Sequence, residues 1–335
     1  MKHSIFAVLA AFLPLSAFGQ MMPDSTVQVV AYWQKGDRMV YEFKSTTTSI
    51  DKDGKEETAK ASSETRIFEV IDETDSSYVL QTTYKDVFSS DMSLSVGADV
   101  INKLGESVVV KTLTNELGTV QELLNVDELT EGMKQMLPLV VDGAVDDKEL
   151  KELGLTRQEL IDNYAEQLCR PETITMAFME DVAPMLNYHG IRIRTDREYT
   201  VKQQLNNPFP GTSSSMQFDM NFWVDEELTD STSVVIRSYM KVDNEAMLPF
   251  LREFLLGALK TTIPQNLAPE DLEKELNAAI VEANMSASLE QYSATEIHLA
   301  TGWTKQYWSK RIFALNTYDG VTTAIVENEV SLADE

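Results

Sequence analysis

Fast acid–base or nucleophilic chemistry near neutral pH needs a group of suitable pKa held in place by a second group. Beyond the first twenty residues the chain offers two histidines, His189 and His298, and one cysteine, Cys169. Both histidines fall at expected strand ends, where an imidazole commonly serves structure. Neither sits in a local pattern of nucleophile, orienting acid and glycine-rich turn. Cys169 lies in the helical stretch Glu166-Gln167-Leu168-Cys169-Arg170, where a thiol reads as a small packed hydrophobe. A lone cysteine also excludes an intrachain disulfide and a cysteine-based zinc cluster. The chain holds no Gly-x-Ser-x-Gly elbow, His-Glu-x-x-His helix, P-loop or Gly-x-Gly-x-x-Gly turn. Asp51-Lys52-Asp53-Gly54 opens like a calcium loop, but Ser62 stands where the twelfth position requires glutamate, so a hairpin turn is expected instead. With 54 Asp and Glu residues, closeness in sequence does not single out a glycosidase-like carboxylate pair. Asp146-Asp147 with Glu149 reads as an acidic helix start, and Asp72-Glu73 and Asp225-Glu226-Glu227 as solvated turns. The expectation is a protein without catalytic residues, metal or cofactor. A hydrolase is the third alternative, and it needs His189 or His298 to fold beside a Ser or Asp.

Charge and the N-terminus narrow the setting. Lys and Arg number 28, giving a formal charge of -26. That argues against nucleic acid or an anionic membrane surface as the main partner, since both need clustered cations. Residues 1–19 read as a signal peptide. Lys2 is a short positive region, Ser4 to Phe18 an apolar stretch too short to span a bilayer, and Ala17-Phe18-Gly19 places small residues before a cleavage at Gln20. No cysteine follows the apolar stretch, so no lipid anchor is expected. No later run reaches the length of a transmembrane helix. A soluble exported protein follows, most simply periplasmic.

The elements that must position any site are strands first. Met39, Tyr41 and Phe43 alternate with polar residues, and Met216, Phe218, Met220 and Phe222 do so most cleanly. Further strands are expected at Thr65–Ile71, Tyr78–Lys85, Ser107–Leu113 and Thr119–Leu124. Ile191, Ile193, Tyr199 and Val201 read as one face of a single extended run. Thr232–Lys241, Ser286–Leu299, Thr304–Leu315 and Val321–Val330 complete the set. Helices are expected from about Val126, after the capping box Thr156-Arg157-Gln158-Glu159, at Glu172–Leu186, and at Asn244–Lys260 and Pro269–Asn284. The stretch from Phe68 to Val79 parallels that from Phe222 to Val234, each an aromatic strand, an acidic Ser/Thr turn and a β-branched strand. A duplication is therefore expected. One unit would span 20–187 and another 188–335, the two able to pack as one domain. Met247 to Leu259 is apolar nearly all round, which marks a buried helix. The expected class is α+β, with curved antiparallel sheets wrapped around helices as two half-barrel units and an apolar interior. Its pocket candidates are Met247, Phe250, Leu251, Phe254, Met176 and Met179, because flexible thioethers suit varied apolar ligands.

Several of these features resemble uncharacterised exported proteins of Bacteroidetes-type bacteria. They are the leader, the Tyr41-to-Lys44 strand, the Leu117-Gly118-Thr119 and Thr301-Gly302-Trp303 turns, and the closing Thr317-Tyr318-Asp319-Gly320 hairpin. The order of sheet and helices is also similar in architecture to LolA/LppX-type lipoprotein carriers, although fold does not imply function. The resemblance implies O-glycosylation at Asp-Ser-Thr triplets, with Ser25 and Ser231 as candidates. The functional expectation is a non-catalytic binding protein for a lipid-like ligand or a partner's apolar segment. Its alternative is an accessory subunit of a cell-envelope assembly that uses aromatic strand faces such as Trp303, Tyr307 and Trp308.

Overall fold

The computed structural model describes residues 21–22, 25–85, 107–144, 150, 156–206, 214–262 and 269–333. The expected signal peptide, its expected cleavage site and the expected Asp146-Asp147-Glu149 helix start lie outside the described residues. Strands β1 (Met21–Met22), β2 (Thr26–Gln28), β3 (Arg38–Ile50), β4 (Glu56–Thr74), β5 (Ser77–Lys85), β6 (Ser107–Asn115) and β7 (Val120–Leu123) come first. Helices α1 (Val126–Ala144), α2 (Arg157–Leu168) and α3 (Pro171–Leu186) follow, then β8 (Arg192–Arg194), β9 (Tyr199–Asn206), β10 (Ser215–Val224) and β11 (Ser233–Val242). Helices α4 (Asn244–Thr262) and α5 (Pro269–Glu282) precede β12 (Ser286–His298), β13 (Thr304–Thr317) and β14 (Gly320–Leu332).

Local signals account for many of these boundaries. Thr156 and Glu159 form the capping box that starts α2. Pro171 sits in the first turn of α3, where its missing N–H leaves no hydrogen bond unmade. Between β3 and β4 the chain reverses on Gly54, at φ +76°, and Asp51 Oδ1 accepts from the Asp53 and Lys55 amides at 2.9 Å each. This is the hairpin expected there. The run from Ile191 to Val201 is not one strand. Ile193 is fully buried in β8, while Ile191 and Val201 are exposed. Arg194 turns onto Asp196 instead, and β8 leaves to pair with β2.

Eleven strands form one antiparallel sheet in the order β7-β6-β5-β4-β3-β14-β13-β12-β11-β10-β9, and β1, β2 and β8 form a second, small sheet. The expected class is corrected by this topology. Among the described residues strand well exceeds helix, so the sheet dominates and is not wrapped around helices. Nor do the strands form two half-barrels, because β3 pairs with β14 from Tyr41↔Leu332 to Ile50↔Thr323 and the sheet runs on across the chain's two halves. The paired stretches noted in the sequence are the β4–β5 and β10–β11 hairpins. They differ in context, for α1 to α3 follow β7, whereas α4 and α5 interrupt the neighbours β11 and β12.

One face of the large sheet carries the core. The end of α3 packs Val182, Met185 and Leu186 on Tyr41, Phe68, Leu80, Tyr307 and Val330. The small sheet packs Val27, Val29 and Ile193 on Val224, Val234 and Ile297. Helix α4 covers the opposite ends of β10 to β13, with Met247 and Phe250 against Met240, Val242, Ala287 and Leu289. Its first turns are buried, but Phe254, Leu255 and Leu256 are half-buried, so α4 caps a rim of the sheet and is not enclosed by it. The middle of the face offers it no apolar bed, because Ser238, Ser293 and Ser309 occupy it.

Two turns lock the N-terminal segment to this frame. Ala31 N–H donates to Leu117 O at 3.0 Å, and Tyr32 N–H to Thr301 O at 3.2 Å. At Gly302, φ is +76° and an added Cβ would stand 2.4 Å from Val30 O, so a side chain has neither the conformation nor the room. Trp33 then stacks on Trp303 with ring centroids 4.6 Å apart.

Truncation should separate the two ends of α4. Phe250→Ala should cost about 3–5 kcal/mol by emptying a core site, and Phe254→Ala less than half of that. Urea unfolding of both variants checks the ranking, and equal losses would contradict the rim packing.

Candidate functional site

The large sheet curves enough for β4 and β9, the ends of an eight-strand run, to line one cavity of about 670 Å³. Pro184 and Asn187, at the end of α3, line it from above. Its floor follows from strand register. Ser238 faces Ser293, Ser293 faces Ser309, Ser309 faces Asn328, Asn328 faces Ser45 and Ser45 faces Ser62. Residues directly opposite in an antiparallel pair share a face, so six small polar side chains cross six adjacent strands in one row. On one side of the row stand Tyr307, Val330 and Phe43, and on the other Met240, Gln291, Arg311 and Val326. The cavity exists because serines occupy positions where neighbouring rows carry Phe, Tyr and Met. From the edge, Leu205, Phe218 and Met220 add an apolar wall.

Much of the floor is already hydrogen-bonded, as buried hydroxyls must be. Ser238 and Ser293 share a 2.7 Å bond, and Asn328 Nδ2 donates to Ser309 Oγ at 3.2 Å. Tyr188 is buried over the first pair, and burial pushes its phenol up to about 12, opposed by its bonds to Ser238 and Ser293. Burial also raises the Tyr307 phenol, beside Ser309. The charged groups are few. Arg66 is ion-paired with Glu64 and lies 3.6 Å from the centroid of the Phe43 ring. Arg311 Nε donates to Gln291 Oε1 at 3.0 Å. This combination of apolar walls, hydroxyl floor and a few charges can hold an amphipathic molecule. Among the described residues no cluster of His, Cys, Asp or Glu converges as a metal site.

The pocket candidates from the sequence lie elsewhere. Met247, Phe250 and Leu251 are buried in core, Phe254 is half-buried, Met176 is exposed, and Met179 packs near Tyr84 and Val110. None of the six lines the cavity. Ser25 and Ser231 are both exposed. Asp230, next to Ser231, accepts from Thr232 and Ser233, which lowers its carboxyl to about 2. Trp303 and Tyr307 are buried, and Trp308 is half-buried. The lining residues did leave a signal. In β11, Val234 and Ile236 are followed at core parity by Ser238 before Met240 and Val242. In β13, Ser309 and Arg311 break the parity of Tyr307, Phe313 and Leu315. In β12, Gln291 and Ser293 do the same between Leu289 and Ile297. Polar residues at core positions of three strands mark a common polar floor.

No family model and no curated protein matches the chain. A solved structure found by fold comparison is OmpT, in-vitro folded, an outer membrane protein of Vibrio cholerae in its trimer form. It is 6% identical, covers 90% of this chain and all of its own, and at a TM-score of 0.18 carries no argument. No helix among the described residues is long and apolar enough to cross a membrane.

His189 is the most deeply buried titratable group of those singled out by sequence, and it serves the frame. Nε2 lies 2.7 Å from Gly302 O and Nδ1 3.2 Å from Leu186 O. The His189 amide already donates to Leu186 O, so the ring proton is assigned to Nε2 and donates to Gly302 O. His298 Nδ1 instead meets Thr301 Oγ1 at 2.9 Å. Cys169 is buried, and burial raises its thiol. For His189, burial outweighs both carbonyls and lowers the imidazole from 6.5 to about 4. The unfolded chain therefore binds a proton that the native chain refuses between these two values. Stability should be full above about pH 6.5 and fall by about 3 kcal/mol as pH drops to 4. His189→Gln should flatten that part of the curve, measured as unfolding free energy against pH. An unchanged slope in the variant would remove His189 as its source.

Proposed function

We propose that this chain is an exported binding protein whose cavity accommodates one small amphipathic molecule. The observation that carries the proposal is the row of six small polar side chains, of which Ser238, Ser309, Asn328, Ser45 and Ser62 line the cavity under apolar walls and leave about 670 Å³ unfilled in the middle of an otherwise packed face. Ligand sites of small molecules fall in the range of about 300–1,000 Å³, with apolar lining and a few placed polar groups. A close-packed interior does not leave such a volume without side chains chosen to be small. Export rests on the leader at residues 1–19, which suits a carrier or sensor of envelope molecules. An accessory subunit that docks through Trp303, Tyr307 and Trp308 has less support, since the first two are core residues.

Ser45 tests this without disturbing the bonded part of the floor. It lines the cavity, is half-buried and faces Ser62 and Asn328. N-phenyl-naphthylamine, a neutral apolar fluorophore, should bind the native protein saturably, and Ser45→Phe should weaken it by at least about tenfold while costing about 1–3 kcal/mol of stability. A folded Ser45→Phe variant with native dye affinity would overturn the assignment.

A further inference from the structure

The charges around the cavity run against the composition of the chain. Acidic residues outnumber Lys and Arg by 54 to 28, yet the lining holds Lys44, Arg66 and Arg311 against Glu64 alone. Lys44 belongs to the other face by register, opposite Glu329, and pairs with Glu42 at 3.4 Å. Arg66 and Glu64 neutralise each other. Arg311 is left as the uncompensated charge. Among the described residues no carboxylate salt-bridges to it, and its hydrogen-bond partner is the Gln291 side-chain oxygen on Nε. That bond uses the inner nitrogen and leaves the two terminal nitrogens, which form the outward end of the planar fork that matches a carboxylate or phosphate. Arg311 is exposed, so it stands where the cavity meets solvent. Beside it along the inner face of β13 come Ser309 in one direction and Phe313 in the other. Apolar Met240 lies one strand beyond Gln291, and Met220 faces Met240.

We propose that Arg311 is the head-group anchor of the cavity and that the ligand is a monoanionic amphiphile of the carboxylate type. This deepens the binding reading above and rests on it. The carboxylate would take the terminal nitrogens of Arg311, held in plane by Gln291. The tail would lie over the serine row against Leu205, Phe218, Met220 and Met240. An anion is otherwise unwelcome on a chain of charge -26, so one arginine in the cavity gives discrimination against neutral competitors and fixes which end of the ligand meets solvent.

The test compares laurate with dodecanol, which share a tail, as competitors of N-phenyl-naphthylamine on the full chain. Native protein should bind laurate on the order of tenfold more tightly than dodecanol, the scale of one charge-assisted contact. Arg311→Met should abolish that preference, weakening laurate on the order of tenfold more than it changes dodecanol, and Arg311→Lys should restore part of it. Dodecyl phosphate is the second arm. Binding tighter than laurate would replace the carboxylate by a phosphate as the preferred head and overturn the carboxylate assignment. Equal affinity of native protein for laurate and dodecanol, with the dye still bound, would overturn the anchor and leave the binding function standing. Failure of the dye and both competitors to bind would overturn both.

Discussion

Ten residues of β3, Tyr41 to Ile50, face ten of β14, from Leu332 back to Thr323. This pairing joins strands from opposite ends of the described chain, and every feature of the site depends on it. It sets Ser45 against Asn328 and so makes the polar row continuous across the middle of the sheet. It places Phe43 beside Val330, and it turns two meanders into one sheet of eleven strands. Contacts of such sequence separation form late, because the entropy of closing the loop precedes any gain from pairing. The locked N-terminal segment supports the same region. Trp33, Trp303 and His189 pack where β13 begins, and the buried Tyr41 hydroxyl donates to Thr304 O at 2.7 Å.

The site is a departure from the packing that surrounds it. Toward one end of the strands, α3 and the small sheet supply apolar cover; toward the other, the first turns of α4 do so. Between them the inner face turns polar for the width of the serine row. Hydroxyls there form bonds with each other and with Tyr188, so the floor is stable without a ligand. Small side chains leave room above that floor. Cover on both sides with an unfilled polar middle is costly for stability alone, and it is intelligible as a place for a molecule that has both kinds of surface.

Much of the architecture was legible in the sequence. Period-two alternation marked β3, β10 and the closing strands, the capping box marked α2, and Asp51 to Gly54 marked a hairpin. Helices α3, α4 and α5 fall where apolar spacing places them. The sheet order was not legible, because alternation tells which face a residue takes and not which strand lies next to it. The apolar character of Met247 to Leu259 suggested an enclosed helix, whereas its burial is achieved at a rim in the first turns. Likewise, Met176 and Met179 read as pocket residues by type, yet α3 turns them toward solvent and toward Tyr84. The serine row is legible only in part: Ser238, Ser293 and Ser309 break the core parity of their own strands, but nothing within a strand shows that they stand side by side. Its meaning comes from register, which only the pairing of β3 with β14 completes.

Native mass spectrometry of the protein after equilibration with an envelope extract from an exporting cell tests the central claim most directly. A cavity built to hold one amphipathic molecule predicts an adduct of one small molecule per chain, displaced by N-phenyl-naphthylamine. A spectrum of bare chain alone, from protein that is folded by circular dichroism, would contradict the account.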